Sequence, residues 1–292
     1  GAMTTGWARV DGAVYYCDTT GAMRSSTWVS NGGQWFYLEG SGAMAAGKWI
    51  SPDDHWYYVD GTGAMVTGWQ VSGGTRYYLN PDAGGAMATG WTKVDGTWYH
   101  LDASGAMSAS TWVRAGAWYY LGESGAMATG WFKADDTWYY ADASGAMRTG
   151  WVSDGGSWYY MDPDTKVMRT GWLLDRGSWY YLHANGVMAI GWVQVDGSWY
   201  YLKASGAMAT GWVKLGGDWY YLNESGAMAT GWAEINGTWY YMDENGAMVT
   251  GWAEINGSWF YMDDNGAMVT GIQTIDGKRH LFHDSGAWAG QL

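Results

Sequence analysis

Large aromatic residues recur from end to end of the chain in two alternating phrases, a G-A-M-x-T-G-W phrase and a W-Y-Y phrase, divided by short polar segments. The tryptophans of the first phrase are Trp7, Trp28, Trp49, Trp69, Trp91, Trp112, Trp131, Trp151, Trp172, Trp192, Trp212, Trp232 and Trp252, spaced by 19 to 22 residues, with Ile272 in the fourteenth place. Those of the second are Trp35, Trp56, Trp98, Trp118, Trp138, Trp158, Trp179, Trp199, Trp219, Trp239 and Trp259, and Val14, Arg76 and Arg279 interrupt the series. A period of this length is the mark of a repeat architecture. Each unit is rich in Gly and poor in Leu, so β structure is expected rather than helix. Asp11-Gly12, Asp95-Gly96, Asp196-Gly197, Asn236-Gly237 and Asn256-Gly257 lie between aromatic runs, the signal of a two-residue type I′ hairpin turn. One hairpin per repeat follows.

Strand alternation then assigns the faces. A two-residue turn at Asp135-Asp136 puts Trp131, Lys133, Trp138 and Tyr140 on one face and Phe132, Ala134, Tyr139 and Ala141 on the other. In the next-but-two repeat, Val193, Val195, Tyr200 and Leu202 oppose Trp192, Gln194, Trp199 and Tyr201. The aliphatic face is the expected interior. A lone hairpin is marginal in water, so the units must bury these faces against their neighbours. The expected fold is an all-β solenoid of stacked hairpins forming an elongated superhelix. It is read as one repeat domain over residues 1–292 with about fourteen units, of which 272–292 is a degenerate terminal cap. The G-A-M segments serve as connectors with a packing role, Gly where the chain reverses and Met as filler beside the indoles.

Composition sharpens this picture. Among 292 residues there are 25 Trp, 23 Tyr, 17 Met and 47 Gly against 4 Phe, so the apolar mass is not that of an ordinary globular core. The net charge of −13 argues against a nucleic-acid partner and favours a cationic ligand. The single cysteine, Cys17, stands where later repeats carry Leu or Met and reads as a space-filler. No apolar run is long enough to insert in a membrane, and any export signal is expected outside this sequence.

The aromatic face could be packing alone, since each ring buries some 150–250 Å². Three features point further: the residue types are fixed as Trp, Trp and Tyr, they flank a polar middle position, and the chain is acidic. Electron-rich rings around a gap attract a quaternary ammonium, the type of ligand for which such cages are best known. A stacked sugar is the competing ligand, but sugars need polar partners at fixed positions. The middle position instead varies through Lys133, Leu174, Gln194, Lys214 and Glu234.

The stretch GAMATGWVKLGGDWYYLNESGAMATGW at 206–232, repeated in variants along the chain, resembles the choline-binding repeats of Gram-positive surface proteins. The resemblance implies a superhelix of hairpins that anchors a protein to choline on teichoic or lipoteichoic acids. It also implies sites between consecutive hairpins, made of two Trp from one, a Tyr from the next and often the intervening Met. Carried over, the sets are Trp28, Trp35 and Tyr58; Trp49, Trp56 and Tyr78; Trp91, Trp98 and Tyr120; Trp112, Trp118 and Tyr140; and Trp131, Trp138 and Tyr160. They continue as Trp151, Trp158 and Tyr181; Trp172, Trp179 and Tyr201; Trp192, Trp199 and Tyr221; Trp212, Trp219 and Tyr241; and Trp232, Trp239 and Tyr261. Glucan-binding repeats share Tyr-Tyr and Gly phrases but generally lack the regular G-A-M and paired Trp.

Several departures carry expectations. At Trp69, Arg76 replaces the second Trp and His100 the neighbour's Tyr, so both walls should be lost and no cation bound. The interval Trp112 to Trp118 is one residue short, which puts that turn in question. Trp252 and Trp259 lack a Tyr partner, because the last unit has Ile272, Arg279 and Leu281, with Trp288 in place of Met. His55, His100, His183, His280 and His283 show no metal-ligand or catalytic spacing. No metal or cofactor is therefore expected, and Asp243-Glu244-Asn245-Gly246 and Asp263-Asp264-Asn265-Gly266 read as solvated turns. The expectation is a non-catalytic, multivalent binding module, secreted and displayed at a bacterial surface. A choline-bearing wall polymer is the expected partner, a glucan the alternative, an adhesin-like stalk the third reading. Self-association through terminal hairpins and an attached catalytic domain outside this sequence stay open.

Overall fold

A computed structural model describes residues 3–292. It is all-β apart from a single 3-10 turn at Pro81–Ala83, and every strand belongs to one of fourteen small antiparallel sheets. Each sheet is built on one repeat's hairpin. Among the described residues no helix is long and apolar enough to cross a membrane. The chain divides into two compact units, Gly1–Arg148 and Thr149–Leu292, each a run of seven hairpins.

The turns form as the dipeptides require. Asp196 and Gly197 both take positive φ, 49° and 84°, and the same holds for Asp11-Gly12, Asp95-Gly96, Asn236-Gly237 and Asn256-Gly257. Asp135 and Asp136 adopt the left-handed region at 46° and 59° without a glycine. The short repeat at Trp112 resolves simply: Ala115 pairs with Ala117 around Gly116 alone, so Trp112 still opposes Tyr120 and Arg114 still opposes Trp118. Dropping one turn residue leaves the side-chain faces unchanged because the strands lose no residue.

The register confirms the face assignment. Gly191 opposes Leu202, Trp192 opposes Tyr201, Val193 opposes Tyr200 and Gln194 opposes Trp199. The residue that opposes the start of the hairpin's first strand is fully buried in most repeats, as in Leu38, Leu79, Leu101, Leu182, Leu202, Leu222 and Met242, all without accessible surface. Burying such a side chain contributes about 1.5–3 kcal/mol. Cys17, a free thiol, holds this same place opposite Gly6, as its repeat position implies.

Within each unit, the connectors bind a hairpin to the one before it. In the segment after Leu202, the Met208 N–H donates to the Trp179 carbonyl of the preceding hairpin, while the Ala209 N–H donates to Tyr201. The bond is made by backbone, so it survives where the Trp is replaced: Met44 donates to Val14 and Met107 to Arg76. The glycine of G-A-M has a second reason to be there. Gly226 has φ +83°, and a Cβ on it would overlap the Met208 thioether of the connector before it. The methionines thus fill the ridge of the stack, against a residue that must lack a side chain.

An Asp or Asn opens most connectors and folds the turn by accepting backbone N–H groups. Asp102 Oδ1 accepts from the Ser104 N–H at 2.7 Å, the Ser104 hydroxyl at 2.6 Å and the Ala106 N–H at 3.1 Å. The side-chain bond, reinforced by the backbone ones, holds its pKa below the usual carboxylate value despite the opposing cost of burial. Asp18, Asp60 and Asp142 are lowered by the same kind of serine or threonine bond. A depressed folded-state pKa contributes stability that is present above the unfolded value near 3.9 and is lost as pH falls through the folded one. Asn223 makes the same three bonds, at 2.9, 2.6 and 3.1 Å, with no charge to lose. Replacing Asp18, Asp60, Asp102 and Asp142 together by Asn is therefore expected to keep the fold and flatten the acid side of the melting-temperature profile below about pH 4. An unchanged slope in thermal melts between neutral and strongly acidic pH would contradict this.

Candidate cation-binding clefts

The two tryptophans of a hairpin lie on the same face, on opposite strands, and their rings meet at right angles. Trp212 and Trp219 have centroids 6.3 Å apart at 89°, and Trp192 and Trp199 6.5 Å apart at 89°. The first Trp is half-buried, whereas the second stands out, with Trp219 40% exposed. A third ring arrives from the next hairpin edge-on to the first: Tyr240 lies 4.9 Å from Trp212 and Tyr220 5.1 Å from Trp192.

These rings line open clefts. One of about 300 Å³ is walled by Trp212, Trp219, Tyr240 and Met248, with Asp264 and Asn265 beside them. The cleft at Trp192 repeats the plan with Trp199, Tyr220, Met228, Glu244 and Asn245. At Trp232 it is Trp239, Phe260, Met268, Asp284 and Ser285. Hydrogen bonds aim some of the inner indoles: Trp151 Nε1 donates to Asp175 at 3.1 Å and Trp49 Nε1 to Ser72 at 3.2 Å. Tyr57, against Trp28, donates to Asp53 at 3.2 Å; burial and the neighbouring carboxylate raise its pKa, so it presents a neutral phenol.

The tyrosine from the next hairpin is not the one the sets above contain. Tyr58, Tyr78, Tyr120, Tyr140, Tyr160, Tyr181, Tyr201, Tyr221, Tyr241 and Tyr261 each pack on the first Trp of their own hairpin, at 4.9 to 5.3 Å. The ring that reaches the preceding hairpin is one residue earlier: Tyr57 to Trp28, Tyr77 to Trp49, Tyr119 to Trp91, Tyr139 to Trp112, Tyr180 to Trp151, and Tyr200 to Trp172. The reason is the pleat. Hairpins stack with the aliphatic face of one on the aromatic face of the one before, as where Leu173, Leu182 and Tyr180 pack with Trp151. A side chain that crosses to the earlier hairpin must leave from the aliphatic face, and the second Tyr shares the Trp face.

Two more findings escaped sequence reading. Glu244 and Asp264 belong to cleft walls, not merely to solvated turns. Each comes from the connector after the second hairpin beyond the two tryptophans, so a cleft draws on three repeats. The acidic residue recurring just before Asn-Gly or Ser-Gly was a visible signal. The variable middle position lies directly across from the second Trp, and where it is basic its cation sits over that ring: Lys133 is 5.3 Å from the Trp138 centroid, Lys214 5.7 Å from Trp219, Lys93 5.8 Å from Trp98, and Arg114 5.8 Å from Trp118. These four outer indoles therefore already hold cations against their faces.

At Trp69 the outcome differs from expectation in one wall. His100 packs on Trp91 of its own hairpin, while Tyr99 meets Trp69 at 4.8 Å, so the neighbouring ring is kept. The second Trp is absent, and the Arg76 guanidinium lies 4.7 Å over Trp69. The chain's own cation covers that ring. At the other end, His280 fills the place of the neighbouring Tyr against Trp252, at 5.2 Å. No cluster of potential metal ligands occurs among the described residues.

The fold and the recurring Trp, Trp and Tyr clefts define an all-β repeat binding protein. The family described as "Choline-binding repeat" matches residues 47–85, 66–112, 113–149, 148–191, 189–230 and 229–270, and "Putative cell wall binding repeat" matches 5–23 and 26–44. The chain belongs to the choline-binding repeat family. Among solved structures it is similar to CbpJ from Streptococcus pneumoniae TIGR4, with 32% identity and a TM-score of 0.63 over 83% of this chain and 99% of that one. It also resembles the choline-binding domain of CbpL from Streptococcus pneumoniae, with 32% identity and a TM-score of 0.54 over 66% of this chain and 100% of that one. Choline binding protein F from the same species matches at 30% identity and a TM-score of 0.52, over 76% and 92% of the two chains. Comparison with curated proteins gave no match.

Proposed function

We propose that the chain is a multivalent, non-catalytic anchor that binds choline groups carried on cell-wall teichoic or lipoteichoic acids at a bacterial surface. The observation that carries this reading is the cleft itself, two indoles at right angles with a third ring and a methionine, repeated along the chain at the period of the sequence. Such walls hold a trimethylammonium by cation–π attraction and dispersion, at about 0.5–2 kcal/mol per contact, and ask nothing of it in hydrogen bonds. The carboxylates of Glu244, Asp264 and Asp284 add a negative rim. Each site is weak alone, and a polymer that engages several gains avidity of order 10²–10⁴. That choline binding protein F was solved in the presence of a peptidoglycan analogue supports a wall partner.

The test is retention of the chain on three immobilised polymers. One is a teichoic acid bearing choline, one is the same polymer bearing a primary ammonium, and one is a glucan. Retention on the first alone, with release by free choline, is the expected result. Retention on the glucan with indifference to choline would overturn the proposal in favour of a carbohydrate module.

A further inference from the structure

The last hairpin lies beyond the family matches, which stop at residue 270, and by sequence it is a cap. Its position in the repeat says otherwise. In the cleft that starts at Trp212 the walls stand at residues 212, 219, 240 and 248, and at Trp232 they stand at 232, 239, 260 and 268. The same steps from Trp252 lead to Trp259, His280 and Trp288. A cleft of about 380 Å³ is found there, lined by these four residues together with Asp276 and Lys278. Resting on the reading of the other clefts as quaternary-ammonium sites, we infer that Trp252, Trp259, Trp288 and His280 form a further organic-cation site with an indole in the methionine's place.

The geometry is that of the internal sites. Trp252 and Trp259 are 6.3 Å apart at 72°, and Trp288 adds a third indole, 5.8 Å from Trp252 at 82°. Trp288 is held by the four-residue strand Trp288–Gln291, which pairs with Lys278–Phe282 and sets Trp288 opposite Phe282. It extends the single bridge of the internal repeats, as between Leu202 and Met208, or their two-residue strand Ala86–Met87. Gly290 opposes Leu281 and Gln291 opposes His280, so the added strand closes one side of the cleft. In the internal clefts that side belongs to a connector residue such as Asp264 or Glu244, whereas here Gln291 of the added strand stands on the lining.

His280 is compatible with a cation because of its hydrogen bond. It is 8% exposed, and the Trp288 indole Nε1 donates to its Nδ1 at 3.2 Å. An indole N–H can only donate, so Nδ1 is the acceptor in this contact. The imidazole offers an aromatic edge where the clefts at Trp192 and Trp212 offer a phenol and the cleft at Trp232 a phenyl ring. The charges around it, Asp276 and Lys278 on the lining and Glu254 across from Trp259, leave a net negative surround. A third indole in place of a thioether adds a strong ring face to the site.

The test uses the full chain labelled with 5-fluorotryptophan, its fluorine resonances followed by NMR during titration with choline chloride against sodium chloride of equal ionic strength. The Trp288 and Trp212 resonances are identified by their loss in Trp288→Phe and Trp212→Phe, and Trp288→Met, which restores the residue of the internal repeats, checks that the terminal hairpin stays folded. A saturable shift of both resonances with choline, and none with sodium, is the expected result. A Trp212 resonance that moves while Trp288 does not would overturn the terminal site and leave the proposed function standing. If neither moves, both readings fall.

Discussion

Choline is expected to raise the melting temperature of this chain by an amount usual for cofactors held far more tightly. A ligand that binds only the folded state stabilises it by mass action, about 2.7 kcal/mol per site at a hundredfold excess over its dissociation constant. The clefts at Trp192, Trp212 and Trp232 lie in one compact unit. Filled together they contribute about 8 kcal/mol by that relation, comparable to the whole stability of an ordinary domain at about 5–15 kcal/mol. Each cleft also joins more than one repeat, so occupancy resists the separation of hairpins that begins unfolding. Calorimetric melts in rising choline chloride, with sodium chloride as the ionic-strength control, read the effect directly. Equal shifts in the two salts, or none in either, would remove the basis for the cation reading.

The second large effect separates the two tryptophans of one cleft. Trp212 touches Tyr221 at 5.2 Å and Tyr240 at 4.9 Å, one in its own hairpin and one in the next. Trp212→Ala is expected to cost about 3 kcal/mol, the lower end for a large aromatic removed from a packed site, and to loosen the unit there. Trp219 is 40% exposed, and its ring meets Trp212 and Lys214 beside the open cleft. Trp219→Ala is expected to leave the urea midpoint nearly unchanged while removing one choline equivalent from the binding stoichiometry. If Trp219→Ala unfolds the chain as readily as Trp212→Ala, the outer ring is packing after all, and the division between structural and binding indoles fails.

Much of this could be read from the order of residues because each repeat is local. The Asp-Gly and Asn-Gly turns fix φ at two residues, the turn fixes the pairing, and the pairing fixes both faces, as at Gln194 and Trp199. The two Trp of a cleft follow from a single hairpin and were legible for that reason. The third ring depends on how hairpins stack, a relation between repeats that no turn dipeptide encodes. Yet the face split already held the answer, since Tyr200 lies with Val193 and Leu202 on the side that meets its neighbour. Glu244 at the Trp192 cleft was visible only as a recurring acidic residue, since a residue 52 positions away comes close through two successive stacking steps that no single repeat encodes. The terminal site was hidden differently, because Trp288 and His280 break the repeat's spelling while keeping its positions.

The dependence of each cleft on three consecutive repeats sets a rule of counting. A run of such hairpins completes two fewer general-pattern clefts than it has repeats, whatever its length, since the last two lack a donor further on. Duplication of one internal repeat by recombination between near-identical copies then adds one binding site, and deletion removes one, with no new residue to invent. Grip on a polymer becomes a quantity that changes in whole steps with gene length, and the two repeats at the trailing end are a fixed overhead carried by every version. A departing repeat such as the one bearing Trp288, whose own added strand lines a cleft, recovers part of that overhead without a donor further on.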